Sequence, residues 1–227
     1  MQDTPLALVT GASRGIGAAV ARALVPTHRV LLGGRDVDAL AEQAVESPGA
    51  EPWAVDLSDL DGVRAAVNGI DQLDVLVHSA GTAELGTVEQ AGPAAWRKNF
   101  EVNVVAVAEL TRLLLPALRA AQGHVVVINS GQGLAARGGW GPYAASKHAA
   151  RAFADALREE EPGIRVTSVY PGRVDTEMQQ AIVASAGQEY APSEYLRPES
   201  VAAAVLSAVT AGADSHVTDV TVKPRKH

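Results

Sequence analysis

The chain has 227 residues, a length that one α/β domain fills, and 47% of them are hydrophobic but only 4% aromatic, which suits helices laid over a parallel sheet better than an all-β sandwich. With no cysteine and no metal-like spacing among the six histidines, disulfides, thiolate chemistry and Cys-ligated zinc are excluded. A formal charge of −7 speaks against a nucleic-acid partner; no apolar run is long enough to span a membrane, and the first five residues leave no room for a signal peptide before an apolar strand begins, so a cytoplasmic protein is expected.

In chain order, apolar runs of strand length alternate with segments of helical period, the pattern of a parallel sheet covered on both faces. A strand at Leu6–Thr10 precedes a helix over 15–25, a strand at Arg29–Gly33 precedes a helix over 37–46, and a strand at Glu51–Val55 precedes a helix over 59–68. A strand at Leu73–Ser79 is followed by a long helix over 94–121, kinked by the internal Pro116. Then come a strand at His124–Ser130, a helix over 143–160, a strand at Arg165–Tyr170, a helix over 199–211 and a strand at Val217–Val222. Gly81, Gly123, Gly212, Gly138-Gly139 and Pro162-Gly163 fall between these elements, as chain breakers should. The expected fold is α/β: a Rossmann-type, doubly wound parallel sheet of seven strands with helices on both faces, in a single domain over residues 1–227. The basic tail Lys223–His227 reads as a solvated terminus.

The first strand runs into Thr10-Gly11-Ala12-Ser13-Arg14-Gly15-Ile16-Gly17, with helical period beginning at Gly15. Glycines there let the backbone approach a pyrophosphate, and the helix behind them aims free N–H groups at the anion. An isolated glycine pattern is as often an ordinary strand-to-helix turn. Here, however, the Thr-Gly-x-x-x-Gly-x-Gly signature resembles the short-chain dehydrogenase/reductase family, and further matches follow. Asp56 comes after the third strand as the family's adenine-contacting aspartate does, Ala80-Gly81 after the fourth as in its Asn-Ala-Gly motif, and Pro171-Gly172 after the sixth. The resemblance implies nucleotide contacts from Gly11, Ser13, Gly15, Ile16, Gly17, Asp56, Leu57, Ala80 and Gly81.

Cofactor choice turns on the end of the second strand, where NAD-specific enzymes place a carboxylate on the ribose. Asp36 lies 19 residues beyond Gly17 and is one candidate; set against the family's strand, the acid's position falls on Gly34 and Arg35 takes the next. Asp36 is then a helix N-cap. Arg14 and Arg35 occupy positions that are basic in NADP-preferring relatives, and paired guanidinium groups suit a 2′-phosphate. NADP(H) is the expected cofactor.

Tyr143-Ala144-Ala145-Ser146-Lys147 opens a helix, so four-residue spacing places phenol and ammonium on one face. A neighbouring cation is expected to lower the pKa of the phenol from near 10. By resemblance, Tyr143 exchanges a proton with the substrate oxygen, Lys147 also holds the nicotinamide ribose, and Ser130, 13 residues before Tyr143, polarises that oxygen. Asn103 matches the asparagine that holds a water behind the lysine. Alone, each has a structural explanation, such as a surface i, i+4 pair or a capping serine; four in order make a catalytic tetrad. After Pro171-Gly172, Val174 and Thr176 correspond to the residues that bind the carboxamide.

The stretch 175–197 lacks strand character and is expected to be a substrate lid, with Met178, Tyr190 and Tyr195 as contacts. In place of Asn-Asn-Ala-Gly the chain reads His78-Ser79-Ala80-Gly81, and the shorter Ser79 makes fewer bonds than asparagine; His78 reads as structural. The expected activity is reversible reduction of a small-molecule carbonyl to an alcohol. Oxidation of an alcohol or 3-hydroxy acid, epimerisation, and nucleotide sensing without turnover are the rival readings, and the intact Tyr143–Lys147 pair disfavours the last. A homodimer or homotetramer is expected, because the helices over 94–121 and 143–160 correspond to those that pair across a two-fold axis in many family members.

Overall fold

The computed structural model describes residues 4–225; Lys226, His227 and the first three residues of the sequence-based expectations lie outside the described residues. Its strands are β1 (Leu6–Thr10), β2 (Arg29–Gly34), β3 (Ala50–Ala54), β4 (Val75–His78), β5 (His124–Ile128), β6 (Arg165–Pro171) and β7 (Asp219–Val222). Its helices are α1 (Gly15–Leu24), α2 (Val37–Glu46), α3 (Leu60–Ala66), α4 (Pro93–Phe100), α5 (Ala106–Ala121), α6 (Gly141–Glu160), α7 (Glu177–Ser185) and α8 (Pro198–Val209). All neighbouring strands pair in parallel, in the order β3-β2-β1-β4-β5-β6-β7. The chain reverses its direction of travel across the sheet between β1 and β4, which opens a crevice beyond their carboxyl ends.

Side-chain alternation sorts the core into two layers. Ala7, Val9, Val30, Leu32, Val75, Val77, Val126 and Val169 pack with α1 and α8. Leu8, Leu31, Leu76, Val125, Val127 and Val166 point the other way and pack with α3, α5 and α6. Leu8, Leu76, Leu110 and Leu114 are at most 1% exposed, and burying each side chain contributes about 2 kcal/mol. Both faces of the sheet are therefore anchored, and the strand ends that carry the polar motifs are held in register.

The structure corrects some sequence-based boundaries and adds a helix to one stretch. The helix expected over 94–121 is α4 and α5 joined by a π-helical turn at Glu101–Val105, where β-branched Val102, Val104 and Val105 weaken the α-helical alternative. Pro116 lies inside α5, which continues through it. The stretch 175–197 contains α7, started by Thr176, whose hydroxyl accepts a hydrogen bond from the Gln179 N–H at 3.3 Å. Finally, β3 lies one residue earlier than expected and β5 stops at Ile128, leaving Asn129 and Ser130 in the turn beyond it.

Candidate active site

At the nucleotide end, the glycines are required by close approach. Gly11 has φ +66°, and a Cβ there would lie 2.8 Å from the Ala80 backbone; one on Gly17 would lie 2.1 Å from the Gly11 carbonyl oxygen. The Thr10 hydroxyl accepts from the N–H groups of Ser79 and Ala80, both at 3.1 Å, and donates to the Val77 carbonyl at 3.3 Å. This hangs Ala80-Gly81 beside the glycine turn. The Ser79 backbone, not its side chain, thus supplies part of the tie between β1 and β4. No side chain caps the start of α1 and no acid lies in its first turn, so the N–H groups around Gly15, Ile16 and Gly17 are free for an anion such as a dinucleotide pyrophosphate.

At the end of β2, a Cβ on Gly34 would sit 3.2 Å from Leu40 Cδ2, so an apolar side chain stands beside the position where a ribose-binding acid is absent. Asp36 caps α2, accepting from the Ala39 N–H at 3.1 Å, as the register argument requires. Asp56 accepts from the Ser58 hydroxyl at 2.7 Å and the Ser58 N–H at 2.9 Å; these bonds hold its carboxyl below the ordinary range, with Arg35 adding to the effect. Leu57, next to it, packs on the sheet. Arg35 lies 3.8 Å from Asp56, and Arg14 makes a 2.8 Å ion pair with Glu177. Ser13, between the glycines, is half-buried.

The catalytic candidates come together on α6 and the end of β5. Tyr143 and Lys147 are 8% and 7% exposed, and Lys147 Nζ lies 5.9 Å from the Tyr143 ring centroid. Lys147 Nζ donates to the Ile128 carbonyl at 3.0 Å. Burial pushes Lys147 down to about 8. Tyr143 is pushed up by burial, opposed by a hydrogen bond with Ser130. The expected lowering by the lysine does not emerge from the structure: loss of water dominates the phenol, and the group that opposes it is Ser130 rather than Lys147. Ser130 also accepts from the Gln132 N–H at 3.2 Å.

Asn103, turned inward by the π-helical segment, accepts from the Thr82 N–H at 2.9 Å and donates to the Thr82 carbonyl at 2.9 Å and the Ser146 hydroxyl at 3.0 Å. Ser146 in turn donates to the Tyr143 carbonyl at 2.8 Å. Sequence reasoning missed this role for Ser146, and two others. Asn129 donates to the Lys147 carbonyl at 3.1 Å and accepts from the Ser130 N–H at 2.8 Å, joining serine to lysine. Asn99, fully buried, donates to the Glu84 and Ala95 carbonyls at 2.9 Å and accepts from the Glu84 N–H at 3.2 Å. The spacing Asn99-x-x-x-Asn103 was the available signal, since it places two amides on one helical face. Trp140 packs edge-on to Tyr143, with centroids 5.9 Å apart. His78 is buried against the Thr111 hydroxyl at 2.8 Å, and burial pushes it down to about 3, so it is a neutral structural group.

Beyond β6, Gly172 donates from its N–H to the Val222 carbonyl at 2.7 Å, and a Cβ there would lie 2.9 Å from Pro224 Cδ, which fixes Pro171-Gly172 at the crevice. Val174 pairs with Leu196, closing the base of the stretch 175–197 through the Asp175 N–H to Leu196 carbonyl bond at 2.8 Å and the Leu196 N–H to Arg173 carbonyl bond at 2.9 Å. Tyr190 and Tyr195 stack at 4.9 Å, the Tyr190 hydroxyl donates to Asp175 at 2.6 Å, and the Arg173 guanidinium lies 5.3 Å over Tyr195. These tyrosines brace the stretch 175–197, and Met178 is 41% exposed on α7.

A seven-stranded parallel sheet with this crevice and a Tyr-x-x-x-Lys helix defines a Rossmann-type oxidoreductase architecture. The family model for short chain dehydrogenase matches residues 5–187, and the chain belongs to that family. It is 32% identical to human dehydrogenase/reductase SDR family member 11 over 243 residues, covering 96% of this chain and 94% of that protein. It is 36% identical to bovine dehydrogenase/reductase SDR family member 7B over 201 residues, covering 81% of this chain but only 62% of that longer relative. Among solved structures, an alcohol dehydrogenase from the archaeon Thermococcus sibiricus, complexed with 5-hydroxy-NADP, superposes with a TM-score of 0.88 at 28% identity, covering 96% of this chain and 95% of that one. Among the described residues, no helix is long and apolar enough to cross a membrane.

Proposed function

We propose that the chain is an NADP(H)-dependent oxidoreductase that reversibly reduces a carbonyl of a small molecule to an alcohol. The observation that carries this reading is the buried Tyr143–Lys147 pair, with the half-buried Ser130 against the phenol, beside an uncapped glycine turn. When bound, the dinucleotide supplies or accepts the hydride. Burial keeps Tyr143 protonated at neutral pH, so the phenol is poised to give its proton to the substrate oxygen as general acid, and to take it back in the oxidative direction. Ser130 donates a hydrogen bond to the same oxygen and orients it. Lys147, held by Ile128 and Asn129, places its charge where it stabilises the phenolate left behind.

NADP(H) rather than NAD(H) is supported by Gly34 in place of an acid, by Arg14 and Arg35 at the adenosine end, and by the NADP analogue in the related archaeal structure. Val174 and Thr176 are assigned to the carboxamide, and 175–197 to the substrate lid. The decisive assay follows NADPH and NADH absorbance over a panel of ketones, keto esters, quinones and keto acids, with Tyr143→Phe as control. Full turnover by that variant refutes the mechanism, and equal efficiency with both cofactors refutes the arginine assignment. We further propose a cytoplasmic homodimer or homotetramer formed through α5 and α6, on whose π-helical approach Val105 is 41% exposed. Light scattering at micromolar concentration is expected to give at least twice the mass of one chain; a monomer mass refutes it.

A further inference from the structure

Arg14 is the residue just before α1, and its guanidinium is held at 2.8 Å by Glu177 in the first turn of α7. The two elements lie side by side. The neighbouring Gly15 is so close to Thr176, the cap of α7, that a Cβ there would lie 3.2 Å from the threonine methyl. Glu177 is therefore placed where its carboxylate and a 2′-phosphate bound at Arg14 would compete for one guanidinium. Both side chains stand in solvent, 70% and 62% exposed, so the pair is weak and exchangeable.

We propose that Glu177 is a built-in competitor for the cofactor's 2′-phosphate, and so a determinant of how strongly the chain prefers NADP(H) over NAD(H). The inference rests on the NADP(H) reading above. A 2′-phosphate takes Arg14 from Glu177, and its affinity is reduced by the strength of the ion pair it displaces. NAD(H) lacks the 2′-phosphate, so it gains nothing from Arg14 at that position and binds without breaking the pair. The lid helix thus carries a residue that tunes selection at the far end of the cofactor, through an arginine that belongs to the glycine turn.

Isothermal titration calorimetry with NADP⁺ and NAD⁺ on the full chain tests this, using wild type, Glu177→Gln, Arg14→Ala and the double variant. Glu177→Gln keeps the side-chain shape and removes the charge. It is expected to tighten NADP⁺ about two- to fivefold, the range that an exposed ion pair spans, while leaving NAD⁺ unchanged and giving no gain in the Arg14→Ala background. An unchanged NADP⁺ affinity, an equal gain for NAD⁺, or a gain that survives Arg14→Ala overturns the proposal. The two readings fail differently. If Arg14→Ala lowers the NADP⁺ to NAD⁺ preference but Glu177→Gln does nothing, only the competitor role falls. If Arg14→Ala leaves that preference unchanged, the arginine assignment falls, and the competitor role with it.

Discussion

Around Tyr143 the polar side chains are buried and already bonded to the chain: Lys147 to Ile128, Asn103 to Thr82 and Ser146, Asn129 to Lys147. Around Arg14 and Arg35 they stand in water, paired with carboxylates that a ligand phosphate can replace. In a low-dielectric interior each hydrogen bond is strong and each orphaned group costly, so the proton-transfer geometry exists before substrate arrives. At the exposed end water screens every charge, and selectivity is a balance among weak, exchangeable pairs. In the proposed reading, chemistry thus sits on the rigid side of the crevice and cofactor choice on the adjustable side.

That contrast breaks first at Tyr143. Tyr143→Phe removes the proton donor with little change of shape, and the rate of carbonyl reduction is expected to fall about 10²–10⁴-fold with the melting temperature nearly unchanged; a loss below tenfold in single-turnover kinetics would place the proton elsewhere. Lys147 tests the cost of rigidity. Its pKa is about 8 in the folded chain against an ordinary 10.5, so between those pH values the unfolded chain binds more protons. Stability therefore rises with pH through that window, and below about pH 8 the burial penalty is present in full. Lys147→Met is expected to abolish turnover yet to stabilise the fold at pH 7 by about 1 kcal/mol, after about 1–3 kcal/mol is subtracted for leaving the buried Ile128 carbonyl unpaired. Urea unfolding from pH 6 to 10 checks both sign and window; a less stable variant at pH 7 contradicts it.

The lid lies between the two regimes, and the expected effect there is smaller. Tyr190→Phe removes the partly buried bond to Asp175, worth about 1 kcal/mol. Because Tyr190 braces the lid without reaching the reacting atoms in this reading, KM is expected to rise about fivefold while kcat changes little. Faster limited proteolysis within 175–197 accompanies it. A fall in kcat with KM unchanged would instead bring Tyr190 to the chemistry.

Much of this was legible in the sequence because it depends on local rules. The apolar runs and helical patterns placed all seven strands within a few residues, and the displaced register that made Asp36 a cap rather than a ribose acid follows from where β2 ends. What escaped was of two kinds. The α7 sequence Glu177–Ser185 is a short, weakly amphipathic helix inside a stretch without strand character, so its existence depends on Thr176 capping it and on packing against the glycine turn. The π-helical turn at Glu101–Val105 has no period of its own, and is stabilised by the bonds Asn103 makes once folded.

The sequence by itself determined the doubly wound sheet, the glycine turn and the Tyr143–Lys147 helix, because strand alternation, positive-φ glycines and a four-residue helical repeat are properties of neighbouring residues. Only the tertiary structure decided that the phenol is raised rather than lowered, that Asn99 and Asn103 clamp the segment beyond β4, and that Glu177 holds Arg14. Those outcomes depend on how much water is removed from a group and on which distant segment arrives beside it, and neither is written in local spacing.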